Sequence, residues 1–295
     1  MKRVAASCHT RVTLALDIVN RIESGPHKGF HALSVIKHAI SLHDVLFVED
    51  SPIMRILCDD PRVPKDASNI CWKVTDILKR EFGISRNVAI TIDKRIPVQG
   101  GLAGGSADAA GMFLLLRDLW NLDVGAARLA ELARAVGMDV PFYFTGGTAL
   151  DTEAGGVIEP IPTPCVFHLI LVTPDFGVST AEAYKDLDYS LVGRGKNDTL
   201  SMRAHLTRGD AVGAIAAMHN DFEFSVFLRH PALGDIKRRL LNLGCANAVL
   251  SGSGSTVIGV LDSPEHFERI KGRVGHASIL VSSCPDSVPD IRREE

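Results

Sequence analysis

The chain has 295 residues, 46% hydrophobic and 23% charged, which is enough apolar content for one large or two ordinary cores. Its formal net charge of −3, without a block of like charges, excludes a protein built to bind nucleic acid through a basic face. Six scattered cysteines with no CxxC spacing exclude a disulfide framework, and no apolar run approaches the roughly 18 to 20 residues of a membrane span. These features predict a cytoplasmic protein, since His9, Arg11 and Asp17 also break the apolar N-terminal stretch that faintly imitates a signal peptide.

Alternation over 11–19 puts Val12, Leu14, Leu16 and Ile18 on one face and predicts a half-buried strand. Residues 31–50 read as short strand-like runs broken by polar turns. Residues 68–83 read as a helix with Ser68 as N-cap, an Ile70, Val74, Ile77 and Leu78 stripe, and Gly83 as its stop. A strand over 87–97 ends at Pro97, and a glycine loop leads into a helix over 106–120. Ser106 can cap that helix, and Phe113, Leu116 and Trp120 share one side. A further helix over 127–137 closes at Gly137.

After about residue 160 the pattern begins anew, with an apolar strand at 166–173 and helical stretches over 200–243. A strand over 247–261 carries a second glycine turn, a last strand covers 278–283, and 192–199 reads as a surface loop. Strands and helices mix without strict alternation, so the expected class is α+β, divided as 1–160 and 161–295.

The loop reads "PVQGGLAGGSADAA" (97–110). A strand, a glycine loop and a helix N-terminus together suit a phosphate, because bare backbone amides converge and the helix end is partly positive. The P-loop pattern fails for want of a lysine after Gly105, and GxGxxG fails on spacing, so a plain structural turn stays open. Asp139, in "GMDVPF", suits either a fixed general base or the N-cap of a helix starting near Pro141. Phe30 and His31 follow a glycine at the mouth of a strand, where an aromatic and a histidine are more often structural.

In this order, "TRVTL", "GFHAL", "DKRIPVQGGLAGGSADAA", "GMDVPF", "HNDFE" and "LSGSGSTV" give a chain that resembles the GHMP kinase superfamily over almost its whole length. The resemblance implies a two-domain α+β fold with the active site in the cleft between halves. The N-terminal half would be like ribosomal protein S5 domain 2, including a rare left-handed crossover, and the C-terminal half ferredoxin-like. It implies ATP and Mg2+ as cofactors and a small-molecule alcohol as substrate, and leaves the oligomeric state open. "GFHAL" with "DKRIP" and "GMDVPF" favours the members that phosphorylate the 2-hydroxyl of a cytidyl-diphosphate sugar alcohol in non-mevalonate isoprenoid synthesis. The alternatives are a mevalonate- or homoserine-type kinase and a nucleotide-binding relative without catalysis.

Carried over position by position, the resemblance assigns Gly100, Gly101, Ala103, Gly104, Gly105 and Ser106 to the ATP phosphates, and Asn69 and Lys94 to the flanks of the adenine nucleotide. Asp139 would be the catalytic base with Arg11 beside it. Phe30 and Tyr184 would sandwich a cytosine ring with His31 at its edge, and Thr13 and Thr180 would contact substrate. No residue is assigned to a metal; Asp108 is read as favourable to the helix dipole, with a magnesium role for it or Ser106 as the alternative. Two departures stand out. Arg11 and Thr13 replace a family Lys and Asn, and an arginine cannot lose a proton as a lysine can. Ala103 replaces a loop glycine, which demands a negative φ there or some strain.

Overall fold

Two long strands, β1 (Arg3–Arg21) and β2 (His31–Ser51), pair antiparallel and organise the first half of the chain. They belong to a computed structural model that describes residues 3–25, 28–193 and 198–294. Part of the loop expected at 192–199 therefore lies outside the described residues. The polar residues of 31–50 do not make turns. His38 bonds Thr148 and Ser283 through its two ring nitrogens, each at 2.7 Å, while Lys37 bonds the carboxylates of Asp139 and Asp151 and Asp44 bonds Lys94. With such partners inside, the strand continues through them. Irregular register in β1 flanks Arg11 and Thr13, the kind of kink that re-aims side chains near a site.

Strand β3 (Arg55–Cys58) runs parallel to β4 (Asn87–Asp93) and joins it through α1 (Ile70–Phe82), a βαβ crossover unit. Asn69, not Ser68, caps α1: its Oδ1 accepts the Cys71 amide at 2.8 Å, while the Ser68 hydroxyl donates to Asp66. Gly83 ends the helix in the left-handed conformation, as expected. Strand β4 ends four residues before Pro97.

Helix α2 (Gly104–Leu119) begins two residues before Ser106 and is buried on nearly every side rather than on one stripe. A Cβ on Gly111 would lie 2.2 Å from Cys8 Sγ, so a glycine is what lets this helix lie against β1. Helix α3 (Ala126–Arg134) stops short of Gly137 and is followed by a 3-10 helix, Val140–Phe144. Strands β5 (Thr148–Glu153) and β6 (Val157–Pro160) complete this stretch, with β5 on the same edge of β2 as β4.

The rest of the chain forms β7 (His168–Val172), α4 (Thr180–Lys185), α5 (Thr199–Arg208), α6 (Ala211–Ala216), β8 (His219–Asn220), α7 (Glu223–Arg229) and α8 (Pro231–Asn242). Then come β9 (Ala248–Leu250), β10 (Val257–Leu261), α9 (Pro264–Ile270), β11 (Ser278–Ser282) and β12 (Ile291–Glu294). The segment expected as one strand over 247–261 is a hairpin of β9 and β10 around the glycine turn. A four-stranded antiparallel sheet has the order β11-β7-β10-β9, while β8 and β12 return to pair with β1. Val12, Leu14 and Ile36 share a buried cluster with Leu169, Leu171 and Ile258, so apolar packing holds the two sheets together beside the cleft. Among the described residues, no helix is long and apolar enough to cross a membrane.

Candidate active site

The glycine loop turns its carbonyls into the protein. Gly100 O accepts the Thr256 amide at 3.1 Å, Gly101 O accepts Arg11 Nη1 at 2.8 Å, Leu102 O accepts the Thr10 hydroxyl, and Ala103 O accepts Tyr143 at 3.2 Å. Four carbonyls drawn inward leave the N–H groups as the loop's polar edge, the arrangement that binds anions. Ala103 holds φ +54 at the cap position of α2, and Gln99 holds φ +60. The strained alternative is therefore the one realised at Ala103, at a cost of about 1–2 kcal/mol. Ser106 does not cap; its amide bonds Ala103 O at 3.0 Å.

Asp139 does not cap either, although it precedes the 3-10 helix. Its Oδ2 accepts Arg11 Nη2 at 2.8 Å, and its Oδ1 accepts Lys37 Nζ. Burial opposes ionisation, but Arg11 and Lys37 outweigh it and hold the carboxyl well below the usual carboxylate range. Lys37 also bonds Asp151, whose carboxyl burial pushes up despite that lysine. Arg11 on β1, Lys37 on β2 and Asp151 on β5 are neighbours across three adjacent strands, with Lys37 opposite Thr13 and Ala149. Lys37 and Asp151 are the residues that sequence reasoning missed. The available signal was a lysine inside the apolar run Val35, Ile36, Ala39, Ile40.

At the α1–α2 side, Asn69 and Lys94 form cleft wall with their side-chain ends already engaged. The Asn69 amide donates to Pro64 O at 2.6 Å besides capping α1, and Lys94 lies between Asp44 and Asp108. Burial pushes Asp108 up, against the pull of Lys94. What Asp108 meets is thus a lysine, beyond any favourable term from the helix dipole.

Elsewhere on the cleft wall, Tyr184 lies edge-on to Phe222, and His31 stacks flat on Tyr184 with centroids 4.6 Å apart and planes 16° apart. His31 Nε2 also bonds the Tyr189 hydroxyl. Thr180 bonds Ser253 of the glycine turn at 2.9 Å, and Phe30 stands 52% exposed at the rim.

One cleft of about 650 Å³ collects Arg11, Thr13, Phe30, Asn69, Lys94, the loop from Gly100 to Ser106, Asp139, Thr180 and Tyr184, together with Lys37, Asp108 and Asp151. That is the size of a small-molecule site. His31 does not line it directly and reaches it through Tyr184.

The family described as GHMP kinases N terminal domain matches residues 69–147, and that described as GHMP kinases C terminal matches 202–278. The chain belongs to the GHMP kinase family, and its α+β fold is the one the resemblance implies. It is similar to the 4-diphosphocytidyl-2-C-methyl-D-erythritol kinase of Thermoanaerobacter pseudethanolicus, 34% identical over 269 residues that cover 91% of each chain. A crystal structure of 4-(cytidine 5'-diphospho)-2C-methyl-D-erythritol kinase matches with TM-score 0.80 and 26% identity, covering 95% of this chain and 98% of that one. Homoserine kinase from Cytophaga hutchinsonii matches with TM-score 0.71 at 18% identity, covering 99% and 97%, which speaks to the fold alone.

Proposed function

We propose that this chain transfers the γ-phosphoryl group of ATP to the 2-hydroxyl of 4-diphosphocytidyl-2-C-methyl-D-erythritol, the alcohol its relatives are named for, in the non-mevalonate isoprenoid route. ATP use comes with the family. The observation that supports the reading most is that Arg11 bonds both the Gly101 carbonyl of the loop and the carboxylate of Asp139. The anion loop and the acid thus lie within one side chain's span.

In this reading the amides of the loop from Gly100 to Gly105, at the N-terminus of α2, hold the phosphates, with the Ser106 hydroxyl beside them. Arg11 lies beside the group in flight, where charge is to be neutralised. Asp139 receives the acceptor hydroxyl. Phosphoryl transfer passes through a loose transition state, so positioning matters more than base strength, and a carboxylate held ionised by two cations serves that role. Mg2+ would neutralise the phosphate charge, with Ser106 and Asp108 as the cleft-lining oxygens at the start of α2 that could hold it. Asn69 and Lys94, engaged at their polar ends, offer the adenosine their backbone and stems. Tyr184, Phe30, His31, Thr180 and Thr13 would hold the cytidyl alcohol. Five of the six free cysteines are buried, which supports a cytoplasmic site of action.

The test is a kinase assay that offers the cytidyl alcohol, mevalonate and homoserine in parallel. Turnover of the cytidyl alcohol alone is expected. Comparable turnover of either other alcohol overturns the substrate, and ATP binding without transfer to any acceptor overturns the activity.

A further inference from the structure

Lys37 stands between two carboxylates, with its Nζ on Oδ1 of Asp139 and on Oδ2 of Asp151. The three side chains form an unbroken line of donors and acceptors. The line starts at the cleft, where Asp139 is 32% exposed, and ends inside, where Lys37 and Asp151 are 4% and 3% exposed. At the inner end, Asp151 Oδ1 accepts the Gly156 amide at 2.7 Å, which fixes the carboxyl group and leaves Oδ2 to Lys37.

Two facts give this line a direction. Asp139, gripped by two cations, is a poor resting place for a proton. Asp151 is a better one, since burial raises its proton affinity even beside Lys37. Arg11 cannot link them, because a guanidinium does not give up a proton. An ammonium group can release one proton and then, as the amine, accept another, and so regain its charge. The other charged and titratable groups facing the line are Arg11 on β1, Tyr143 on the 3-10 helix and Tyr184 on α4; burial holds both phenols above their ordinary range, so neither titrates alongside.

We propose that Asp151 is the terminal acceptor of the substrate hydroxyl's proton, reached from Asp139 through the ammonium group of Lys37. The proposal rests on the reading of Asp139 as the group that meets the hydroxyl. The hydroxyl oxygen forms its bond to the γ-phosphorus as the bridging P–O bond breaks and its electron pair leaves with ADP. The hydroxyl proton passes to Asp139; Lys37 gives one of its protons to Asp151 Oδ2, and the amine so formed takes the proton from Asp139. Asp139 and Lys37 end as they began, and Asp151 ends neutral. The group of Arg11, Lys37, Asp139 and Asp151 thereby gains one positive charge as the phosphorylated product and ADP together gain one negative charge. Asp151 and Lys37 act through Asp139 and are positioning residues with respect to substrate.

The test compares the full-length wild type with Asp151→Asn, which keeps an oxygen for Lys37 but cannot hold the proton, and with Lys37→Arg, which keeps the charge but cannot exchange one. Both variants are expected to lower kcat roughly 10- to 100-fold, towards the lower end of general acid–base effects. KM should stay unchanged, the solvent deuterium isotope effect on kcat should rise, and Asp151→Asn should lose the acid limb of the kcat–pH profile. Full kcat and an unchanged isotope effect in Lys37→Arg would mean that charge alone is needed, and the relay is overturned. A second arm needs no turnover: carbon-13 NMR titration of the Asp151 carboxyl in the wild-type protein. It should titrate above the ordinary carboxyl range, and titration together with or below Asp139 overturns the relay for any acceptor. A wild type that binds ATP but leaves the cytidyl alcohol untouched counts against the proposed function, while the NMR arm still decides the relay.

Discussion

The carbonyl oxygen of Ser251 stands 2.4 Å from the place a Cβ on Gly101 would occupy. The glycine loop and the glycine turn between β9 and β10 thus meet backbone to backbone, and Gly254 O closes the same spot at 2.7 Å. Gly101 also holds φ +73. Gly101→Ala should therefore raise the KM for ATP at least roughly tenfold and lower the melting temperature, because strain of about 1–2 kcal/mol adds to a clash with two fixed carbonyls. Gly83→Ala is the control: φ is +64 at the end of α1, and no described atom lies within 4 Å of the added Cβ. It should cost about 1 kcal/mol in thermal unfolding and leave activity alone. Equal losses in both variants would show that conformation, not the seating on Ser251, limits the loop.

Asp139→Asn keeps the shape of the side chain and removes its charge. Arg11 Nη2 and Lys37 Nζ then face an amide, and in the proposed reading the acceptor hydroxyl loses its carboxylate. Steady-state kinetics should show kcat lower by roughly 10²- to 10⁴-fold, with ATP affinity measured by calorimetry nearly intact. Unchanged turnover would remove Asp139 from the chemistry.

His219 Nε2 bonds Asp17 Oδ1 at 2.5 Å and ties β8 to β1. Burial works against the charged imidazole, but Asp17 outweighs it, so the folded pKa of His219 lies above its ordinary 6.5. Stability from this pair is then fully present below about pH 6.5 and is lost as the pH rises through the raised value. Asp17 is held below its ordinary 3.8: burial opposes that, and the bonds from His219 and Thr199 prevail. Its contribution is present above that ordinary value and is lost as the pH falls through the lowered one. Urea unfolding should show wild type more stable than His219→Gln by about 1–2 kcal/mol near pH 6, with the gap closing in alkali. A gap that widens with pH would reverse the assignment.

Local signals in this chain read well where a short segment decides the outcome. Gly83 stops α1 and the glycine loop opens α2 because turn and helix-end chemistry acts over a few residues. The sequence puts the cap of α1 one residue early, since Ser68 and Asn69 both suit it and only the bond from the Ser68 hydroxyl to Asp66 separates them. Residues 31–50 were misread for a different reason. Lys37, His38 and Asp44 look like turn residues until their partners are known, and those partners, Asp139, Asp151, Thr148, Ser283 and Lys94, lie 50 to 245 positions away. Asp139 was visible beside Pro141 as a candidate base. Its second cation was not, because the register of β1, β2 and β5 is what brings Lys37 to it. Ala103 is a like case: its positive φ is no preference of alanine, and its carbonyl meets Tyr143, 40 positions away.

Tyr184 tells the two ligands apart in the proposed reading. Its ring lies against Phe222 and under His31, and it belongs to no part of the loop. A flat base that stacks there must share or take the face that His31 covers. Tyr184→Ala should therefore raise the KM for the cytidyl alcohol by roughly tenfold or more, in line with about 1–3 kcal/mol for a base on an aromatic ring. The KM for ATP should stay put. Tyr184→Phe keeps the ring and should fall much closer to wild type, since stacking rather than the hydroxyl carries the contact. An effect of Tyr184→Ala on ATP alone would mean that the nucleotide lies at the aromatic end, and the glycine loop would then hold the acceptor's diphosphate instead.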